Sequence, residues 1–148
     1  EAEVFPNPEV IKAISADFLP VKVHIKEQKQ TFERFNAQWT PTQVVLDPEG
    51  KERHRMEGFL PVDDLLAQLE LGLAKIAFQH KAFGDAEKRF RSLGENHQAT
   101  AAAPEACYWA GVAAYKARND VTALNATAKL LKEKYPASEW ARKASVWL

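Results

Sequence analysis

Side chains that could do chemistry are few in this chain and do not form sets. Cys107 is the sole cysteine of 148 residues, which excludes an internal disulfide, a CxxC centre and a multi-cysteine metal site within it. It stands beside Tyr108 and Trp109 with no neighbouring cation to lower its pKa, so a structural thiol is a better reading than a redox sensor. His24, His54, His80 and His97 are scattered, and no two have metal-ligand spacing on one helix face. No metal and no cofactor is therefore expected. Lys51, Arg53 and Arg55 alternate along an extended run and share one face. An anion could sit there, but charged edge strands commonly serve as a guard against edge-to-edge pairing, and the guard is favoured. No Ser-His-Asp arrangement can be placed, and the six glycines are too dispersed for a phosphate loop.

The elements that must hold these residues follow from pattern. Glu1–Phe5 reads as a helix end, and Asn7-Pro8-Glu9 as a cap, a first-turn proline and an acid at the positive end of the next helix. Val21, Val23 and Ile25 alternate with Lys22 and His24, the period of a half-buried strand. Lys26–Ala37 is a polar helix pinned by Phe32 and Phe35. Val44-Val45-Leu46 is a strand, Asp47-Pro48-Glu49-Gly50 a tight turn, and Lys51–Met56 the returning strand. From Pro61 the period turns helical, with Asp63 and Asp64 in the first turn, and one helix is expected to about Lys81. It carries two stripes: Val62, Leu65, Leu66, Leu69, Leu73 and Ile76, then Ala67, Leu71, Ala74 and Phe78. Two stripes on one helix imply two partners.

This order, with its Thr-Pro before a strand, hairpin and final helix, resembles the second half of a thioredoxin-like domain over about residues 3–78. The resemblance implies a cis Thr40–Pro41 bond. It also implies that Trp39, Thr40 and Pro41 form a loop facing redox cysteines and offering backbone to an extended peptide, a form of strand addition. By the same resemblance, the first core strand and the CxxC helix would lie upstream of Glu1. The strands Val21–Ile25 and Gln43–Leu46 are then expected to be parallel, and Lys51–Met56 antiparallel to the latter.

Beyond that helix the chain repeats. Ala74, Phe78, Ala86 and Leu93 return 37 residues later as Gly111, Tyr115, Ala123 and Leu130, close to the roughly 34-residue period of tetratricopeptide repeats, which the pattern resembles. Leu130–Pro136 is similar to the end of a second repeat helix. Helical hairpins at about 62–95 and 104–135 and a closing helix from Ala137 are expected. Tyr108, Trp109 and Tyr115 could line a repeat groove, although aromatics at helical spacing are more often inter-helix core. The fold class is thus α/β: a partial thioredoxin-like fold of order βαββα, residues 1–80, then an all-α tetratricopeptide-like array, residues 62–148, sharing helix 62–80.

Twenty basic and twenty acidic side chains cancel, so no net field draws nucleic acid or an anionic membrane. No apolar run approaches a membrane span, and no leader is visible ahead of the fold. The compartment stays open, with the cytoplasm slightly favoured. Two functions compete. One is part of a thiol–disulfide redox protein whose cysteines lie upstream, the present residues being inactive alone. The other is a redox-inactive adaptor. Either takes a protein or peptide segment as partner, and a strand-swapped homodimer is a third option for a chain lacking its central strand.

Overall fold

The computed structural model describes residues 4–148. The expected helix end at Glu1–Phe5 falls partly outside the described residues, and Val4–Pro6 form a turn. Helix α1 (Pro8–Asp17) starts at its cap: Asn7 accepts the Glu9 amide at 2.9 Å, and Val10 is its buried residue.

The next stretch departs from expectation. Residues 18–24 have no regular structure, and Leu19, Val21 and Ile25 are 93%, 77% and 43% exposed. The predicted Val21–Ile25 strand, with its parallel pairing, is therefore not present. Alternation prescribes an extended backbone, but a strand also needs a neighbour for its amides and carbonyls. Among the described residues no strand lies beside it. The expected Lys26–Ala37 helix shrinks to α2 (Lys29–Arg34), because Gln28 gives no side-chain cap and Asn36 turns left-handed at φ 48°.

Strands β1 (Thr42–Leu46) and β2 (Glu52–Glu57) pair antiparallel, as the Asp-Pro-Glu-Gly turn dictates. Val45 faces His54 and Leu46 faces Glu52, so Arg53 is the extra residue of a bulge. The Thr40–Pro41 bond is cis. The described sheet contains these two strands.

Helix α3 (Val62–Gln79) runs unbroken through 18 residues and serves two cores. Leu65 and Leu69 join Val4, Val10, Val45 and Met56 under the sheet, while Ala67, Leu71 and Ala74 join Ala86, Phe90 and Leu93 of the helical half. Gly72 weakens a helix by about 1 kcal/mol against Ala, but a Cβ there would stand 3.1–3.3 Å from Val45. The glycine lets β1 approach the helix.

Helices α4 (Phe83–Asn96), α5 (Ala102–Arg118), α6 (Thr122–Lys134) and α7 (Glu139–Ala144) continue the array, closed by a 3-10 turn at Ser145–Trp147. Lys81 and Asn119, both left-handed, turn α3 into α4 and α5 into α6. The second copy drifts by a residue: Leu131 takes the fully buried place, and the expected Leu130 is half-buried. Ser138 caps α7 by accepting the Ala141 amide at 3.1 Å. Among the described residues no helix is long and apolar enough to cross a membrane.

Candidate functional site

The Trp39-Thr40-Pro41 loop lies where α2 hands over to β1. Trp39 is 67% exposed, and its carbonyl accepts the Thr42 hydroxyl at 2.7 Å. The Gly58 amide donates to the Pro41 carbonyl at 2.8 Å, tying the loop's end to β2. That bond sets the phase of the ladder. Pro41, Gln43 and Val45 turn their backbone groups toward β2, so Thr42, Val44 and Leu46 turn theirs to the other side, where no strand lies among the described residues. A cleft of about 10 Å³, room for roughly one water, opens between Val4, Phe5, Pro41, Gln43, Phe59, Leu60 and Leu65. Among the described residues, Gln43 Oε1 is buried without a hydrogen-bond partner.

At the other end of the hairpin, the Asp47 side chain is fully enclosed. It accepts the Glu49 amide at 3.1 Å, the Lys51 amide at 2.9 Å and Arg53 Nε at 2.7 Å. Desolvation pushes its carboxyl up, but these donors outweigh it and hold the group below the ordinary carboxylate range. His80, at the end of α3, stands 3.7 Å from Asp47 and 3.4 Å from Glu49. Asp47, Glu49 and His80 offer ligand atoms within 4.8 Å of one another, but the Arg53 guanidinium already holds the central carboxylate and opposes a divalent cation. Arg55 is engaged too, with Glu52 at 2.7 Å and with the Phe35 carbonyl. The Arg53–Arg55 face of β2 is thus occupied by carboxylates of the chain itself.

Sequence reasoning missed the junction of the two halves. A cavity of about 250 Å³ lies there, floored by Phe78, Phe90 and Trp109 and rimmed by Glu52, Arg53, Lys75, Gln79 and Glu105. Lys75 pairs with Glu105 at 2.9 Å, bridging α3 and α5. His54 Nδ1 lies 3.2 Å from Lys75 Nζ, and its Nε2 lies 2.6 Å from Gln68 Oε1. No local pattern signals it, since Lys75, His54 and Glu105 come from three separate elements.

Burial, above all, and the Lys75 ammonium push the His54 pKa down, against the Gln68 hydrogen bond and Glu105. A depressed histidine contributes stability above its unfolded pKa, about 6.5, which is lost as pH falls through that value toward the folded one. Urea denaturation should therefore show stability falling between neutral pH and pH ~5, with a smaller fall in His54→Gln. An identical fall in the variant would remove His54 as the cause. Asp47 and Glu87, both held below the ordinary carboxylate range, act in a separate, more acidic window.

Cys107 is half-buried and packs against the cluster of Ala128, Leu131 and Ala144, which Tyr108, Tyr135, Trp140 and Trp147 also border. Burial pushes its thiol up, with Arg91 and Lys134 opposing weakly, so it is a poor nucleophile at neutral pH. Tyr108 stacks on Trp147 at 4.7 Å and meets Trp140 at 5.2 Å. Trp109 packs edge-on to Phe78 at 5.4 Å. The closing helix thus covers Tyr108, Trp109 turns to the junction cavity, and Tyr115 lies half-buried a turn before the end of α5. Tyr108 and Trp109 also meet edge-on at 5.4 Å, and both border Trp140. His97 bonds Asp63 at 2.5 Å, fixing the α4–α5 loop to the start of α3.

Residues 1–73 match the family model of the thioredoxin-like domain. No curated protein and no solved structure matches the chain.

Proposed function

We propose that this chain is the substrate-facing part of a thioredoxin-like redox protein, whose Trp39-Thr40-Pro41 loop receives an extended protein segment and whose reactive thiols lie outside these 148 residues. The observation that carries this is the match of residues 1–73 to the thioredoxin-like domain, together with a loop that holds Trp39 out in solvent. Thiol–disulfide exchange needs an attacking thiolate and a second thiol to resolve the mixed disulfide. Cys107, half-buried and raised in pKa on the far helices, supplies neither. The tetratricopeptide-like helices, built on the same α3, act as a rigid protein-binding extension.

The test has two parts. Disulfide reduction assayed with the 148 residues should show no turnover above background. Titration with reduced, alkylated insulin B chain, an extended segment without free thiols, should saturate and be lost in Trp39→Ala. Turnover by the chain alone, or binding indifferent to Trp39→Ala, would sink the reading.

A second reading, a redox-inactive adaptor, is favoured by the junction cavity with its Phe78–Trp109 floor and Lys75–Glu105 rim. A volume near 250 Å³ is below the roughly 300–1,000 Å³ of small-molecule sites and suits one large side chain of a partner. The coding sequence before Glu1 separates the readings: CxxC favours the redox protein, its absence the adaptor.

A further inference from the structure

The rim of the junction cavity has more hydrogen-bond donors than acceptors left over. Both oxygens of Glu52 are taken by Arg55, at 2.7 and 2.9 Å. Glu105 gives one oxygen to Lys75 at 2.9 Å and keeps the other. An ammonium has three donors, and Glu105 and His54 leave one of them on Lys75. Arg53 donates Nε to Asp47 at 2.7 Å, and its two terminal nitrogens have no hydrogen-bond partner among the described residues. The Arg53 and Lys75 side chains are 22% and 25% exposed, so salt screens their charges less than at an open surface. Below this rim the floor is aromatic. Phe78 and Trp109 meet edge-on at 5.4 Å and 65°, an arrangement that a further ring can join. The fully buried Phe90 completes it.

We propose that this cavity takes an aromatic side chain of a partner protein together with an acidic side chain beside it. The ring lies on Phe78 and Trp109, and the carboxylate accepts from Arg53 and Lys75. This rests on the adaptor reading of the cavity and names the chemistry of its partner. A volume of about 250 Å³ limits the occupant to a single ring. A basic companion is disfavoured, because it would find one free carboxylate oxygen and face two cations. Among the described residues, none of β1 lines the cavity. The upstream strand implied by the thioredoxin-like resemblance would join β1 on the side away from β2, so the cavity and the redox reading do not compete.

Titration with end-blocked tripeptides tests it, followed by NMR at the Trp109 indole N–H, while the Trp39 indole reports any binding at the loop separately. Blocked ends confine the charge to side chains. Acetyl-Glu-Phe-Glu-amide should bind at least tenfold more tightly than acetyl-Lys-Phe-Lys-amide, with acetyl-Gln-Phe-Gln-amide between them. Acetyl-Glu-Ala-Glu-amide, which lacks the ring, should leave Trp109 unmoved. The preference for acid should shrink at high salt and in Lys75→Gln. Arg53→Gln should shrink it as well, but it strips the enclosed Asp47 carboxylate of its cation, so Lys75→Gln serves should that variant fail to fold. Equal binding of the acidic and neutral peptides overturns the proposal and leaves the adaptor reading standing. A preference unmoved by salt and by Lys75→Gln also overturns it. If no peptide shifts Trp109, the proposal and the adaptor reading fall together.

Discussion

Gly111→Ala is expected to destabilise this protein, although alanine is the better helix former. The added Cβ would stand 2.2 Å from Thr127 Oγ1, 2.7 Å from its Cβ and 2.8 Å from its Cγ2. The threonine cannot swing aside: its Cβ is one bond from the α6 backbone, and its hydroxyl donates to the Ala123 carbonyl at 2.8 Å. Helices α5 and α6 must therefore separate. Overpacking of a filled core costs roughly 1–3 kcal/mol, occasionally more, against about 1 kcal/mol returned by helix propensity. The contact lies at the severe end of that range, so the balance is a loss, read as a lower urea midpoint with unchanged slope. In a Thr127→Gly background the same substitution should cost less, the coupling expected of two groups in contact. A Gly111→Ala chain as stable as its parent would show that α5 and α6 have room to spare.

Phe90→Ala should have the largest effect of any single substitution. The ring is fully buried among Ala67, Leu71 and Ala74 of α3, Ala86 and Leu93 of α4, and Ala102, Ala106, Ala110 and Ala113 of α5. The seven alanines among these neighbours cannot reach into the space left behind. Truncation of a buried phenylalanine costs about 3–5 kcal/mol. At this chain length each kcal/mol lowers the melting temperature by about 2–4 °C, so a fall of roughly 6–20 °C is expected. The sheet should melt with the helices, since α3 lends side chains to both cores. Calorimetry together with exchange at the Val45 amide checks this. Two separate transitions, with Val45 keeping its protection while the helices unfold, would show that the cores are independent.

The sequence made some of this legible and hid the rest for physical reasons. The double stripe on α3 is local, a matter of period, and both faces do find separate cores. The turn Asp47-Pro48-Glu49-Gly50 likewise determined how its own two strands pair. The Val21–Ile25 alternation is misleading because period reports backbone shape, whereas a strand is defined by a neighbour that need not be close in the chain. The exposed Trp39 loop could be picked out from its Thr-Pro step and its place ahead of the strand. The junction of Lys75, His54 and Glu105 could not, because its residues come from three elements whose approach is set by packing. The spacing of Trp140, Ala144 and Trp147 did mark a capping face for the stack, but which aromatic it meets, Tyr108, is set by packing.

A helix committed on two faces also constrains how the chain can change in length. Each residue added to an α-helix turns everything beyond it by about 100°. A one-residue insertion near Glu70 would leave Leu65 and Leu69 under the sheet and carry Leu71, Ala74 and Phe78 around the axis, away from Phe90. A deletion would turn them the other way. No rotation of the helix as a whole can seat both stripes again, because correcting one undoes the other. Substitutions in α3 can thus be absorbed one contact at a time, but a change of length there cannot. Insertions of that kind belong in the exposed stretch 19–22, which has no regular structure and where only the connection lengthens.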